Sequence, residues 1–336
     1  MPTETERIQA AKREEVKNYY RALPYISKSR LKTYVTCPKK FFFKYILGRR
    51  GDPTFYTARG TQIHRAFEHF YENVRKDKLS AFRGGSLRKY LPGVQTGNGR
   101  EGAADWADHI VPFIGNFLRF EKRRRDNADI LNQFIPVGIE SEGWVDYDWN
   151  DSNWDVPLMG FADLVVRSAS LSDDIVEADH GVTILDFKTG SVPDEKYRDE
   201  GIYLEQEYYA IIFEETMNPE VTGVAAYYPK SDTTIGAQLS NERRDFIDQK
   251  MHEMIALSFH AEKDWFPIEE QPLCAWSNHR GEGMCDHYSD CESEWGMKHF
   301  NGPTYQHAID AKPDGFLKDK AEPKDVDVGD GLYNIS

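Results

Sequence analysis

Three short segments hold residue types that can do chemistry together. The first is TILDFKTG (183–190), where Asp186 and Lys188 interrupt an apolar run with one residue between them. In an extended strand, residues two apart point to the same face. Burying both charges is expensive unless they pair or coordinate something. The second, MGFADLVVR (159–167), sets Asp163 among Phe161, Leu164, Val165 and Val166. Two carboxylates on adjacent strands repel each other unless a cation lies between them. A divalent ion suited to hard oxygen ligands, Mg²⁺ or Mn²⁺, removes that repulsion. Either acid alone reads more plainly as salt-bridged (Asp186 to Lys188) or solvated (Asp163). The two together, followed by Thr189-Gly190, favour the cation. The third segment, RGTQIHRAF (59–67), carries His64. A lone histidine reads as hydrogen-bonded at a helix–sheet interface. The place of His64 after Gly60-Thr61 on a predicted inner helix opens a ligand role.

These residues need a frame. Residues 5–22 read as a charged amphipathic helix. Ser27 and Ser29 suit the cap of a helix carrying Leu31, Tyr34 and Val35. An aromatic segment, KKFFFKYILG, follows Cys37-Pro38. Ile63, Phe67, Phe70 and Val74 fall at helical spacing. Residues 76–102, rich in Gly, Lys and Arg, read as a loop or mobile insertion, and 103–125 as a helix. The period then changes. Alternating and β-branched patterns predict strands near 134–148, 156–167 and 181–187. A helix at 199–217, strands at 221–229 and 233–238, and a helix at 240–260 complete the order. The polar stretch from about 312 reads as a flexible tail.

The chain has 336 residues, 40% apolar and 29% charged, which suits a sizeable core and argues against wholesale disorder. No apolar run approaches membrane-spanning length and the first residues lack an apolar leader, so a soluble, cytoplasmic protein is expected. A net charge of −14 argues against a general nucleic-acid coat, which needs clustered cations. Local basic paths exist: Arg30, Lys32, Lys39, Lys40, Lys44, Arg49 and Arg50, and the run Lys122-Arg123-Arg124-Arg125. Each also reads as a solvated helix face. Of the four cysteines, Cys37 stands before the strands and Cys274, Cys285 and Cys291 after them. In a reducing compartment they suggest a metal or cluster site rather than disulfides. An iron–sulfur cluster, a zinc site and unligated thiols are the alternatives. Close C-x-x-C pairs, usual for zinc, are absent.

Taken in order, these segments resemble the PD-(D/E)XK nuclease superfamily, specifically its RecB-like branch with an iron–sulfur cluster. That branch includes CRISPR-adaptation nucleases, exonuclease V and the nuclease domains of bacterial helicase–nucleases. SKSRLKTYVTCPKKFFFKYILG resembles the family's opening segment, RGTQIHRAF its G-T-x-x-H motif, GFAD its G-x-x-D strand and DFKTG its D-x-K-T-G strand. The resemblance spans about residues 25–295.

It implies an α/β, restriction-endonuclease-like core: a mixed central sheet flanked by helices, with a helical N-terminal region and a C-terminal iron–sulfur region. The implied layout is an N-terminal helix (1–24), a nuclease domain (25–300) with an inserted helical segment at about 76–130, and a polar tail (301–336). His64, Asp163, Asp186 and the backbone carbonyl of Phe187 would bind Mg²⁺ or Mn²⁺. Lys188 would orient the attacking water and steady the developing phosphorane charge. The family's Q-x-x-x-Y motif falls on LEQEYYAII. With Tyr209 in the tyrosine place, Glu205 fills the glutamine place and Gln206 lies beside it, so either a glutamate substitutes or the register shifts by one. Cys37, Cys274, Cys285 and Cys291 would hold a 4Fe–4S cluster. The ten residues between Cys274 and Cys285 depart from the usual close spacing. The implied activity is hydrolysis of DNA phosphodiesters, as an exonuclease on single strands or duplex ends in repair, recombination or foreign-DNA processing. Arg30, Lys39, Lys40, Lys44, Arg49 and Arg50 would contact DNA, and a helicase or CRISPR-adaptation proteins would be partners. The rival expectation is a non-catalytic, nuclease-like module that grips DNA or a helicase.

Overall fold

The structure is a computed structural model that describes residues 23, 25–49, 55–91, 103–145, 156–172, 174–217, 220–260, 266–269, 285, 287 and 291. The expected helix at 5–22, the polar tail, Arg50 and Cys274 lie outside these residues. The chain divides into two compact units: 51–145 with 159–248, and 1–50 with 146–158 and 249–336.

The first of these units is built on a five-stranded sheet of order β1-β2-β3-β4-β5. The strands are β1 (Gly138–Val145), β2 (Leu158–Arg167), β3 (Val182–Phe187), β4 (Val221–Tyr228) and β5 (Thr233–Gln238). β2 and β3 run antiparallel, β3 and β4 parallel, and β4 and β5 antiparallel. All six residues of β3 are buried, as expected of a strand covered on both faces. The mixed α/β sheet expected from the sequence is therefore the one observed.

One face carries Leu164, Val166, Leu185, Phe187, Ala225 and Tyr227. A 22-residue helix (Phe55–Lys76) and a 25-residue helix (Ala103–Asn127) supply its cover. Ile63, Phe67, Phe70 and Val74 from the first, and Phe113, Phe117 and Phe120 from the second, enter this core. Phe67 stacks on Phe117 at 3.9 Å between centroids, and Phe117 meets Phe187 at 5.9 Å. Each such side chain contributes about 1.5–3 kcal/mol on full burial. The opposite face carries Val224, Ala226, Tyr228 and Ile235, packed with Tyr203. Helix Leu204–Met217 crosses that side, contacting β1, β3 and β4. Five residues in π-helical form, Asp199–Tyr203, lead directly into it.

The stretch expected to be a loop from 76 onward is ordered in its first part. Lys78–Phe82 is helical and Leu87–Tyr90 forms a 3₁₀ turn. Ala81, Leu87 and Tyr90 enter the core. Asn73 Nδ2 donates to the Tyr90 carbonyl at 3.0 Å, and the Tyr90 hydroxyl donates to Asp77 at 3.0 Å. A few apolar anchors fixed by local hydrogen bonds outweigh a polar, glycine-rich composition.

In the other unit, Ser27 caps helix Lys28–Thr36 by accepting from the Arg30 amide. Cys37 ends that helix and caps the short turn Pro38–Phe41, accepting from the Lys40 amide at 3.5 Å. Phe41, Phe42, Phe43 and Tyr45 are all buried. Phe42 lies 5.0 Å from Phe266 and Phe43 lies 5.5 Å from His287. These aromatics form core rather than a platform for bases. Among the described residues, no helix is long and apolar enough to cross a membrane.

Candidate metal and hydrolytic site

The antiparallel register of β2 and β3 pairs Leu164 with Leu185. Asp163 and Asp186 are the residues next to that last pair on each strand. Both are almost fully buried, at 7% and 1% exposure. Asp163 Oδ2 accepts from the Phe187 amide at 2.9 Å, so this carboxylate is anchored where β3 ends.

His64 reaches the same point from its helix. Its Nε2 lies 2.8 Å from the Phe187 carbonyl oxygen and its Nδ1 3.3 Å from Asp163 Oδ2. The carbonyl can only accept, so Nε2 carries the proton. The other nitrogen of a neutral ring is then a lone pair aimed at a carboxylate. That contact is attractive only if the ring is charged or a cation joins the two. Glu140 of β1 completes the group: ligand atoms of His64, Glu140 and Asp163 all lie within 4.8 Å of one another. One imidazole nitrogen, two carboxylates and a nearby backbone carbonyl form a donor set that fits Mg²⁺ or Mn²⁺. Glu140 also has a left-handed backbone, φ 39°, a conformation a side-chain-bearing residue keeps only when its surroundings enforce it. Sequence reasoning missed Glu140, because an acid in GIESEGWV looks like any solvated strand residue.

Asp186 lies outside that three-residue group. Its Oδ2 stands 2.9 Å from Lys188 Nζ, and the same Nζ donates to Glu205 Oε2 at 2.5 Å. The D-x-K pair thus lies on one face, as two-residue periodicity demands, with the ammonium held between two carboxylates. Glu205 meets Lys188 from the first turn of helix Leu204–Met217. Gln206 is fully buried, and its amide has no hydrogen-bond partner among the described residues. Of the two registers left open by the sequence, the structure brings Glu205 to the lysine.

Tyr209, one turn further on, is buried against Gly160 of β2. A Cβ on Gly160 would come within 2.2 Å of the Tyr209 ring. The neighbouring Tyr208 hydroxyl accepts from the Met159 amide and donates to the Met159 carbonyl, both at 3.1 Å. Two adjacent tyrosines therefore clasp β2 three to four residues before Asp163, and the glycine of GFAD is what lets the helix approach.

The expected DNA contacts divide by environment. Arg30 and Lys39 are buried, and Arg30 donates to the Tyr25 carbonyl at 2.6 Å with its guanidinium over the Tyr25 ring. Lys40 and Lys44 are half-buried, and Arg49 is exposed. The run 122–125 is engaged by its own chain, correcting its reading as a phosphate path. Lys122 pairs with Asp126, Arg123 with Asp232, and Arg125 donates to the Gly85 carbonyl. Arg124 is interior, bonded to Glu121, Ser170 and the Phe134 carbonyl. Cys37 and Cys291 are buried and Cys285 is half-buried. The Cys291 amide donates to the His287 carbonyl at 3.1 Å.

Two comparisons with known proteins stand beside this geometry. A family profile described as the PD-(D/E)XK nuclease superfamily matches residues 25–292. No curated protein matches the chain.

Proposed function

Because the chain belongs to the PD-(D/E)XK nuclease superfamily, we propose that it is a metal-dependent deoxyribonuclease acting from the ends of DNA or on single strands. The observation that carries this reading is the convergence of His64, Asp163 and the Phe187 carbonyl where β3 ends, next to the Lys188 ammonium.

His64, Asp163 and Glu140 would hold the ion, with the Phe187 carbonyl and Asp186 as further ligands. Bound there, Mg²⁺ or Mn²⁺ polarises the scissile phosphate and lowers the pKa of water. The chain's own residues supply the rest. Asp186 and Glu205 fix the Lys188 head, which keeps a positive charge ready for the negative charge that develops on phosphorus-bound oxygens. Anchoring of Asp163 by the Phe187 amide ties the ligand geometry to the sheet rather than to a loop. Lys40, Lys44 and Arg49 are the cations we assign to the DNA backbone; Arg30 and Lys39 shape that segment from inside. We assign the thiols of Cys37, Cys285 and Cys291, with Cys274, to a 4Fe–4S cluster. The burial of Cys37 and Cys291 supports this, as does the one-plus-three order along the chain.

The test is cleavage of end-labelled single-stranded DNA with Mn²⁺ or with chelator. The wild-type protein should shorten the strand only with metal. Asp186→Ala and Lys188→Ala should each lose at least about 100-fold in rate while keeping their thermal transitions. Undiminished cleavage by either variant refutes the site. Cleavage that survives chelation refutes the metal.

A further inference from the structure

The turn from β4 to β5 stands beside the hydrolytic site. β3 and β4 run parallel, so their carboxyl ends share one edge of the sheet, the edge at which open α/β sheets bind ligands. At that edge the Lys188 amide donates to the Tyr227 carbonyl at 2.9 Å. Lys230 follows three residues after Tyr227, so the two are separated by at most about 10 Å of chain.

The turn is braced by helix Ala103–Asn127. Asn116 Nδ2 donates to the Pro229 carbonyl at 2.6 Å, and Phe120 stacks on Tyr227 at 4.2 Å between centroids. The Ser231 amide donates to the Tyr228 carbonyl at 3.2 Å. Asp232, in the left-handed region at φ 55°, accepts from the Tyr227 hydroxyl at 2.9 Å and pairs with Arg123 at 2.7 Å. The charges on this surface do not cancel. Arg123 offsets Asp232, and Lys122 offsets Asp126. Arg119 also reaches Asp232, at 3.3 Å, yet remains 63% exposed. Lys230 is exposed, and among the described residues its ammonium meets no ion-pair or hydrogen-bond partner. Two positive charges are therefore left in excess, in a chain whose net charge is −14. A local excess of this kind attracts a phosphodiester backbone, which releases condensed counterions on contact.

We propose that Arg119 and Lys230 form a second DNA-contact surface, holding backbone phosphates of the strand that runs on from the scissile bond. This rests on the nuclease reading above. Steady-state cleavage of a labelled single strand with Mn²⁺, followed over a range of salt, is the test. Each lost phosphate contact should flatten the plot of log kcat/KM against log salt by about 0.7. At 0.1 M salt, Lys230→Ala should raise KM about 5-fold, and Lys230→Ala combined with Arg119→Ala about 25-fold. In both variants kcat should stay within about twofold of wild type. Lys230→Arg keeps the charge and should restore the wild-type KM and slope. Lys230→Ala should leave the melting temperature unchanged, and in the double variant Asp232 keeps Arg123 and Tyr227. A wild-type slope in the double variant overturns the proposal. So does a rise in KM that ignores salt, or one that Lys230→Arg fails to reverse. If wild-type protein leaves DNA intact under every metal tried, the nuclease reading fails and this surface falls with it. An active wild type with unaltered variants removes the surface alone.

Discussion

At the scale of single residues, Glu205 sets this site apart. It sets a second carboxylate against Lys188 beside that of Asp186, where an amide would fill the place in the motif the segment resembles. An amide oxygen can still accept from Lys188, so Glu205→Gln should keep cleavage within about tenfold of wild type. Glu205→Leu removes one carboxylate from the ammonium and should cost about 100-fold through loss of position. Single-turnover rates on labelled DNA decide this, and a wild-type rate in the leucine variant would show that Lys188 needs no second partner. Asp163, Asp186 and Lys188 were legible because charges inside an apolar strand violate its pattern. Glu140 was not, because an acid in a polar strand violates nothing. Arg124 was misleading for a related reason. A run of four cations looks like surface, yet a helix turns each residue about 100° from the last, and Arg124 points inward to Glu121 at 3.0 Å.

Among the elements, the decisive one is the helix Leu204–Met217. Its placement depends on the π-helical turn that precedes it and on its grip on β2. Widening by a residue rotates everything after it, and π segments often mark functional positions. Here the face presented to Lys188 carries Glu205 rather than Gln206. The grip consists of Tyr208 on the Met159 backbone and Tyr209 over Gly160. Gly160→Ala should push the Tyr209 ring aside and destabilise the fold by about 1–3 kcal/mol. Urea denaturation measures the loss, and a variant as stable as wild type would show that the contact is soft. A second brace lies behind the sheet. The Tyr71 hydroxyl donates to Glu121 at 2.7 Å, and Glu121 in turn pairs with Arg124. Burial, then the Glu121 charge, raises the Tyr71 phenol well above its ordinary range. Strand number and approximate limits were legible because short β-branched, apolar runs bounded by turn residues stand out even where both faces are buried. The helical turns at 78–90 were hidden, because their few anchors are spaced by polar residues and recognised only through hydrogen bonds across the chain.

Over the whole molecule, a net charge of −14 and a DNA substrate are compatible if binding is local. The cations assigned to DNA, Lys40, Lys44 and Arg49, belong to the segment that also carries Cys37. A cluster closing the long loop from Cys37 to Cys291 would restrict the unfolded chain and so stabilise this unit. Protein purified without oxygen should therefore be brown, with a broad absorption near 400 nm and about four irons per chain. A colourless, zinc-loaded protein would remove the cluster. The fold class was readable from the order of periods along the chain. The division into two units, with segments of one inserted into the other, was not, since no composition shift marks residues 50, 146 or 249.

If the site works as proposed, buried acids and an imidazole share one divalent cation. Anomalous diffraction from crystals soaked in Mn²⁺ tests it directly. The expected result is a single strong peak bounded by His64, Asp163 and the Phe187 carbonyl, absent from Asp163→Asn crystals. A map with no peak there, or a peak undisturbed by that substitution, would mean that these residues hold no shared ion.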